Sequence, residues 1–307
     1  MRKGTGFFGM LFLIVSSLNG FSQPSKANTD HIKRKWLDIA YASISPAQKL
    51  DIYLPDEGDG PFPVIISIHG GAFMFGDKAD EQLNPMLKGL NHGYAIVSIN
   101  YRMSGEAIFP ANINDVKAAI RWVKANAAEY KFSPKRIALW GGSAGANLAA
   151  LAGTSGDVKE LEDMSMGNAN QSSRVMAVVD WFGPTNFLLM DEQLKETGNG
   201  KPDKSEANSP LSKVLGQKIT EIPEKVKMAN PESYITSDDP PFLIQHGTKD
   251  PIVPTQQSIN FAKKLETVLG KEKVTLVLLE GSKHGGPAFQ TPENLKLVVA
   301  FLDAFLK

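Results

Sequence analysis

The sequence of 307 residues contains no cysteine. Disulfide bonds, thiolate catalysis and a zinc site built on cysteine ligands are therefore excluded. A lipid anchor of the kind that needs a cysteine directly after a signal peptide is excluded as well. The nucleophile of any covalent mechanism has to be another residue type.

Net charge is also lacking, because 33 Lys and Arg residues balance 33 Asp and Glu residues. Proteins that bind nucleic acid carry a basic patch or stripe, and the sequence contains no such cluster of Lys and Arg. We therefore expect no nucleic-acid partner.

The N-terminal apolar run is short. Residues 7–18 are mostly apolar, follow the basic residues Arg2 and Lys3, and precede a stretch with small residues at 20–23. A membrane-spanning helix needs about 20 apolar residues, so this order is typical of a cleavable signal peptide instead. We expect residues 1–22 to be removed and the mature protein to be secreted or periplasmic, with no stable membrane anchor.

Short apolar runs alternate with helical patterns along the rest of the chain. Runs with the length of strands lie at 49–54, 64–68, 95–99, 137–140, 175–179, 242–245 and 274–279. Apolar residues recur at helical spacing at 113–128, 255–269 and 295–306. This alternation predicts an α/β fold with a mostly parallel sheet covered by helices on both faces. The strands around Ile39 and Ile52 are too close together for a crossover, so that edge should be antiparallel.

Two segments interrupt this alternation. Residues 23–35 are polar and are predicted to be a linker before a single domain at 36–307. Residues 184–240 contain several Pro and Gly residues and many charges but no convincing strand, so we predict a helical insertion over the active site, at the carboxyl ends of the strands. The apolar residues of this insertion that are candidates to face the pocket are Leu188, Leu189, Met190, Leu211, Val214 and Leu215.

The segment 141–145 reads Gly-Gly-Ser-Ala-Gly and has the G-x-S-x-G form. It follows the apolar strand 137–140 and precedes a helix-compatible run at 146–152. In this context the glycines permit a sharp turn that exposes the Ser143 hydroxyl above the sheet. Ser143 is thus the candidate nucleophile, and the alternative is a serine that caps a helix in a glycine turn.

A serine nucleophile needs a base, and five histidines are available. His284 lies in a glycine-rich loop directly after the last predicted strand, where an imidazole can reach Ser143. His69 and His246 end buried strands beside glycines and are predicted to be packed scaffold. His284 is therefore the candidate base.

The base needs a carboxylate that fixes its tautomer. In folds with such a turn, the acid follows a strand and lies between the serine and the histidine in the chain. Asp250 follows the strand 242–245 and meets both conditions, with a structural turn before Pro251 as the alternative reading. Asp180, which ends the preceding strand, is the rival acid.

Five short motifs occur in the order found in a known family. They are His69-Gly-Gly-Ala-Phe73, Ser98-Ile-Asn-Tyr-Arg102, Gly141-Gly-Ser-Ala-Gly145, Asp180-Trp-Phe-Gly183 and His246-Gly-Thr-Lys-Asp250. Over residues 36–307 the chain resembles the carboxylesterases near the hormone-sensitive lipase group, most of all the bacterial feruloyl and acetyl-xylan esterase-like branch. The resemblance implies the α/β-hydrolase fold and the hydrolysis of carboxylic esters.

The resemblance also implies roles for individual residues. Ser143, Asp250 and His284 match the catalytic triad of the family. The backbone N–H groups that match its oxyanion hole are those of Gly71, Ala72 and Ala144. Ala72 stands where many relatives have a third glycine, so its methyl group crowds the acyl side.

Aromatic residues next to these motifs are candidate substrate contacts. They are Phe73, Phe75, Trp181 and Phe182. Such rings can stack on a feruloyl group or on a sugar, but large aromatics also form ordinary core. The sequence offers no cysteine ligand and no pair of histidines at metal-binding spacing, so we expect neither a metal nor a cofactor.

These features predict a secreted serine carboxylesterase that acts through an acyl-enzyme on small-molecule or polysaccharide-linked esters, such as feruloyl or acetyl esters. One alternative is a serine peptidase of the prolyl-oligopeptidase kind, but the chain has no room for the propeller domain that those enzymes usually carry. The other alternative is a non-catalytic binding protein with a hydrolase fold. Such proteins commonly lose a member of the triad, whereas all three residues are present here.

Overall fold

An eight-stranded sheet forms the centre of the protein in this computed structural model, which describes residues 25–307. The predicted signal peptide, residues 1–22, lies outside the described residues. The strands are β1 (Lys35–Ala40), β2 (Lys49–Tyr53), β3 (Phe62–Ile68), β4 (Ala95–Ile99), β5 (Phe132–Gly142), β6 (Ala177–Trp181), β7 (Phe242–Gly247) and β8 (Val274–Leu279). Across the sheet they follow the order β1-β2-β4-β3-β5-β6-β7-β8.

The directions of the strands agree with the sequence. β2 is antiparallel to both β1 and β4, whereas each neighbouring pair from β4 to β8 is parallel. The predictions of a mostly parallel sheet and of an antiparallel edge are both confirmed. The carboxyl ends of β3, β5, β6 and β7 therefore meet at one edge of the sheet, where the predicted site residues follow them.

Helices cover both faces of the sheet. The α-helices are α1 (Asn84–Leu87), α2 (Ala111–Ala125), α3 (Ala144–Thr154), α4 (Met190–Thr197), α5 (Pro210–Leu215), α6 (Pro223–Ala229), α7 (Gln256–Leu269) and α8 (Pro292–Leu306). Short 3-10 helices lie at Glu81–Leu83, Lys88–His92, Lys159–Leu161, Met164–Met166, Phe187–Leu189, Ile219–Glu221, Pro231–Ser233, Lys271–Lys273 and Pro287–Gln290. Helices α2, α3 and α7 belong to one hydrophobic cluster, and α1 and α8 belong to a second. In β3, Ile66 joins the first cluster and Ile65 the second, as expected of a strand buried on both faces.

Two strands differ from their predicted bounds. β5 is longer than the apolar run 137–140, because its first half contains Pro134 and two charged residues that hide it from a search for apolar residues. β6 lies two residues further along the chain than predicted, and its register places Trp181 beside Gly142. This register brings the end of β6 next to the turn at the end of β5.

The segment predicted to be a linker, 23–35, is packed where it is described. The N–H of Glu81 donates a hydrogen bond of 2.6 Å to the carbonyl of Ser25. The Ile32 side chain is buried in the same cluster as α1 and α8. The segment is therefore part of the packed domain rather than a free linker, although its composition is polar.

The segment 184–240 is helical, as predicted, and consists of α4, α5, α6 and short 3-10 helices. Its apolar side chains join the cluster that contains α3 and α7, among them Phe187, Met190, Leu211, Val214, Leu215 and Val226. The segment is thus anchored through the core. No helix within residues 25–307 is both long enough and apolar enough to cross a bilayer.

Candidate active site

Ser143 lies in a sharp turn between β5 and α3. Its φ of 56° and ψ of −120° are strained for a residue with a side chain, and its N–H donates to the carbonyl of Trp181 at 2.9 Å. A Cβ at Gly141 would lie 2.3 Å from the backbone of Gly145, and a Cβ at Gly145 would lie 2.1 Å from the carbonyl oxygen of Ile68. Close backbone packing therefore requires both glycines, and it fixes the serine beside the end of β3.

The structure brings the three predicted catalytic side chains together. The Ser143 hydroxyl oxygen lies 2.8 Å from Nε2 of His284, and Nδ1 of His284 lies 2.7 Å from Oδ2 of Asp250. The Asp250 side chain is fully buried, and 16% of the His284 side chain is exposed. Because the Nδ1–H of His284 donates a hydrogen bond to the carboxylate, the lone pair on Nε2 is free to accept the hydroxyl proton of Ser143.

Asp250 is held by more than His284. Its Oδ1 accepts hydrogen bonds from the N–H groups of Ile252 at 2.8 Å and Val253 at 3.0 Å. Its Oδ2 also lies 3.1 Å from Nε2 of His246. Burial alone would raise the pKa of Asp250, but the hydrogen bonds from His246 and His284 outweigh burial and lower this pKa below its usual range. Asp250 is therefore a charged partner for the imidazole at neutral pH.

His246, which the sequence predicted to be packed scaffold, is also hydrogen bonded to Asp250. Its Nε2 faces two acceptors, Asp250 and the carbonyl oxygen of Val253 at 2.9 Å, so Nε2 carries the proton. Its Nδ1 lies 2.7 Å from the hydroxyl oxygen of Ser258, which donates to it. The sequence does contain a signal for this role, since His246 precedes Asp250 by four residues in one turn.

Asp180, the rival acid, makes no hydrogen bond with His284. Its Oδ1 accepts a hydrogen bond of 2.9 Å from the N–H of Gly183, and its Oδ2 is buried without a partner among the described residues. Burial raises the pKa of Asp180 to about 6, although the hydrogen bond from Gly183 and the nearby His246 oppose this rise. The geometry therefore favours Asp250 as the acid that contacts His284.

The loop after β3 lies against the turn at Ser143. Gly71 and Ala72 have positive φ values of 112° and 54°, and a Cβ at Gly71 would lie 1.9 Å from the carbonyl oxygen of Phe75. Successive residues in such turn conformations can direct neighbouring N–H groups toward one anion. Ala144 begins α3, where the first N–H groups have no partner within the helix. The predicted oxyanion donors thus flank the serine on two sides.

A cavity of about 510 Å³ opens at Ser143, and we call it the active-site cavity. Gly71, Ala72 and His284 line it together with the serine. Its aromatic lining residues are Phe75, Trp181, Phe182 and Phe289. Its further polar lining residues include Asp77, Asp80, Glu81, Gln82 and Asn84. The cavity therefore offers both ring surfaces and hydrogen-bonding groups close to the nucleophile.

The four predicted aromatic contacts take different positions. Phe75 is half exposed and lines the cavity, as does Phe182, whose ring stands edge-on to the His284 imidazole with centroids 4.7 Å apart. Trp181 also lines the cavity but is only 4% exposed, because it packs against neighbouring aromatic rings. Phe73 is buried in the core cluster and does not line the cavity. The predicted substrate contact is therefore corrected for Phe73, since the turn of its loop directs the ring into the core.

The insertion 184–240 flanks the site, and none of its residues is among those that line the active-site cavity. It contacts the loop after β7 instead. The side chain of Asn199 donates to the carbonyl of Thr248 at 3.3 Å, and a Cβ at Gly200 would lie 2.0 Å from the carbonyl oxygen of Pro251. The predicted position over the active site is corrected to one beside it. Of its predicted pocket residues, Leu188 and Leu189 are exposed outside the cavity, and the others lie in the core, namely Met190, Leu211, Val214 and Leu215.

The side chains around Ser143 provide the parts of an acyl-transfer site. A nucleophile contacts its base, the base contacts an orienting carboxylate, and backbone donors flank the nucleophile. Within residues 25–307, no group of three or more His, Asp or Glu side chains is arranged to hold a metal ion.

Comparisons with known proteins place the chain among esterases. Residues 50–265, well over half of the chain, match the profile of the family described as BD-FAE. The chain is 34% identical to Esterase LipQ of Mycobacterium tuberculosis over 273 residues, which cover 87% of this chain and 61% of that protein. The chain thus spans less than two thirds of this relative.

Two solved structures are similar to the protein over most of its length. The Bifunctional GH43-CE of Bacteroides eggerthii is 37% identical, with a TM-score of 0.79, and the match covers 88% of this chain and 35% of that chain. A truncated form of carbohydrate esterase from gut microbiota is 33% identical, with a TM-score of 0.80, and the match covers 92% of this chain and 99% of that chain. These similarities confirm the predicted α/β-hydrolase fold.

Proposed function

Since the chain belongs to the BD-FAE family, we propose that it is a serine carboxylic ester hydrolase that acts through an acyl-enzyme. One observation carries the proposal: the Ser143 hydroxyl lies 2.8 Å from Nε2 of His284, whose Nδ1 lies 2.7 Å from Asp250. A hydroxyl, a neutral imidazole and a buried carboxylate in this order are what nucleophilic acyl transfer requires.

The reaction begins when Ser143 Oγ attacks the ester carbonyl carbon and Nε2 of His284 takes the hydroxyl proton. The carbonyl oxygen becomes an oxyanion, which the N–H groups of Gly71, Ala72 and Ala144 stabilise. The C–O bond to the alcohol then breaks, and His284 returns the proton to the leaving oxygen. In the second half, water gives a proton to His284, attacks the acyl-enzyme and releases the acid, and the proton returns to Ser143.

The alcohol part of the ester, in this proposal, is a plant polysaccharide that carries feruloyl or acetyl groups. The aromatic lining of the active-site cavity can stack on a phenolic ring or on a sugar face. Its carboxylate and amide side chains can bind sugar hydroxyls. The name carbohydrate esterase, which one similar structure bears, supports the same class of substrate.

The proposed location is secreted or periplasmic. It is supported by the sequence of residues 1–22, where basic residues, an apolar run and small residues follow in the order of a signal peptide. A polysaccharide substrate is itself found outside the cytoplasm, so export and substrate class support each other.

Hydrolysis assays test the proposed reaction. We expect the protein to hydrolyse nitrophenyl acetate and at least one of methyl ferulate and acetylated xylan, and to leave dipeptide amides intact. Ser143→Ala should lower kcat by several orders of magnitude, because it removes the nucleophile from a unit that acts together. A fluorophosphonate probe should label Ser143. Retention of more than about a tenth of the activity in the variant, or faster cleavage of the amides than of the esters, would contradict the proposal.

A further inference from the structure

A second cavity, which we call the distal cavity, adjoins the active-site cavity. Its volume is about 490 Å³, close to the 510 Å³ of the first. Asn84 and Gln290 line both cavities, so a ligand that leaves the active-site cavity between these two residues enters the distal cavity. The two cavities therefore adjoin at these two residues.

Polar side chains reach the distal cavity from separate segments of the chain. Asn28 and His31 precede β1, Asp56 follows β2, and Lys88 and Asn91 belong to the 3-10 helix after α1. Within residues 25–307, these five side chains make no hydrogen bond or ion pair with another residue. Their donors and acceptors are therefore open to a ligand, unlike the polar groups around Asp250.

The chemistry of this lining suits a neutral ligand with many hydroxyl groups. The amides of Asn28 and Asn91 each donate and accept hydrogen bonds, as hydroxyl groups do. Asp56 and Lys88 balance each other in charge, so the lining has no excess of cations for a phosphate or another anion. Leu90 is half-buried and adds apolar surface to the lining, on which the C–H face of a sugar ring can lie, whereas Leu54 and Leu87 are buried beneath it.

We infer that the distal cavity binds the oligosaccharide chain of the substrate, beyond Asn84 and Gln290 as seen from the scissile ester. The inference rests on the proposed function, because an alcohol must be polymeric to extend from Ser143 into the second cavity. Esters on long sugar chains then gain binding energy that esters on short chains lack. This gain depends on side chains that have no contact with the triad.

Paired substrates test the inference. We expect kcat/KM for acetylated xylohexaose to exceed that for acetylated xylobiose by about tenfold or more in the wild type, since a few additional hydrogen bonds of about 1 kcal/mol each are gained. The double variant His31→Ala/Asn91→Ala should lower this ratio by about fivefold or more. The matched control is His92→Ala/Asn170→Ala, which replaces the same residue types at exposed positions outside both cavities and should keep the ratio.

Binding of unesterified xylohexaose to Ser143→Ala supplies a second readout, which does not depend on turnover. The His31→Ala/Asn91→Ala changes should weaken this binding in calorimetric titration, and the control changes should not. Equal kcat/KM for the two oligosaccharides in the wild type, or equal losses in the double variant and its control, would overturn the inference while hydrolysis of nitrophenyl acetate persists. If the proposed function itself failed, no ester of any size would be hydrolysed. That result differs from the one that overturns the inference about the distal cavity.

Discussion

Asp250 and Asp180 are both buried at the ends of neighbouring strands, but their surroundings shift the two pKa values in opposite directions. Asp250 receives hydrogen bonds at both carboxylate oxygens, including those from two imidazoles. Asp180 receives one at Oδ1, and its Oδ2 has no partner among the described residues. Burial consequently raises the pKa of Asp180 to about 6, whereas the hydrogen bonds of Asp250 outweigh burial and lower its pKa.

Exchange of each carboxylate for an amide separates their roles. Asp250→Asn should lower kcat by about 10⁴, the loss known for the equivalent change in a serine protease, because the amide favours the wrong imidazole tautomer. Asp180→Asn should cost far less, since Asp180 lies away from His284. Steady-state kinetics on nitrophenyl acetate measures both variants. A larger loss for Asp180→Asn would reverse the assignment of the acid.

Asp180 should also contribute to the pH dependence of stability. Between about pH 4 and pH 6 the folded state holds a proton on Asp180 that the unfolded state has released, because the folded pKa of about 6 lies above the ordinary value of 3.8. Stability from this group is therefore highest below pH 4 and falls as pH rises to 6, by up to about 3 kcal/mol.

Urea denaturation at several pH values measures this effect. The Asp180→Asn variant lacks the titrating group, so its free energy of unfolding should rise relative to that of the wild type between pH 4 and pH 6. A difference between the two proteins that stays constant over this range would show that Asp180 does not titrate as its burial indicates.

His246 should act through Asp250 and not on the substrate. His246→Asn removes the donor to Oδ2 of Asp250, because an asparagine side chain ends near the position of Nδ1. Loss of one hydrogen bond to a charged group should lower kcat by about tenfold or more while KM changes little. Ser258→Ala removes only the hydroxyl at Nδ1 of His246 and should have a smaller effect. Kinetics on a small ester gives both constants. An effect on KM alone would argue against a positioning role for His246.

At the scale of elements, the strands were predictable and their ends located the site. Each apolar run of strand length proved to be a strand. The runs of β3, β4, β6 and β7 are uninterrupted because these strands are buried on both faces. Ser143, Asp250 and His284 each follow a strand of the sheet, so a correct set of strands already brought them to one edge. The packing of the N-terminal segment was missed because the segment is polar in composition. It is held by the buried Ile32 and by backbone hydrogen bonds to residues 79–81, which leave no apolar pattern.

Sequence patterns did not predict which side of the insertion is buried, and they did not predict the distal cavity. Leu211, Val214 and Leu215 were expected at the pocket and lie in the core, because short helices of six to eight residues have too few turns to reveal which face is covered. The distal cavity is lined by side chains far apart in the chain, most of whose polar members are exposed. Neither periodicity nor a motif relates Asn28 to Gln290, and only the folded chain brings them together.

The packing of the insertion predicts how it responds to substitution. Leu215 is buried in the core cluster, so Leu215→Ala should lower the free energy of unfolding by about 2–5 kcal/mol. The activity of the folded fraction should be nearly unchanged, because Leu215 does not line the active-site cavity. Leu188→Ala, at an exposed leucine of the same segment, is the control and should cost little stability. Urea denaturation and ester kinetics together check this, and an altered acyl preference in Leu215→Ala would speak for a direct role in recognition.

At the scale of the whole molecule, the proposed export should remove residues 1–22. Ser25 accepts a hydrogen bond from the N–H of Glu81, so cleavage after residue 22 would leave this contact in place. We expect a Gram-negative host that expresses the full sequence to yield a periplasmic protein whose N terminus, by mass spectrometry, lies near residue 23. An intact Met1 on protein in the membrane fraction would contradict cleavage.

The packed N-terminal segment lies beside both cavities. Ser25 and Ala27 are hydrogen bonded to the backbone at 79–81, Glu81 lines the active-site cavity and Asn28 lines the distal cavity. Suppose that a carbohydrate-binding module is fused ahead of Ser25. The linker length would then set the distance between Ser143 and an insoluble polymer that the module binds. The local concentration of ester would then depend on linker length rather than on diffusion from bulk solution. Joining a module at this terminus would confine the catalyst to the surface that the module binds.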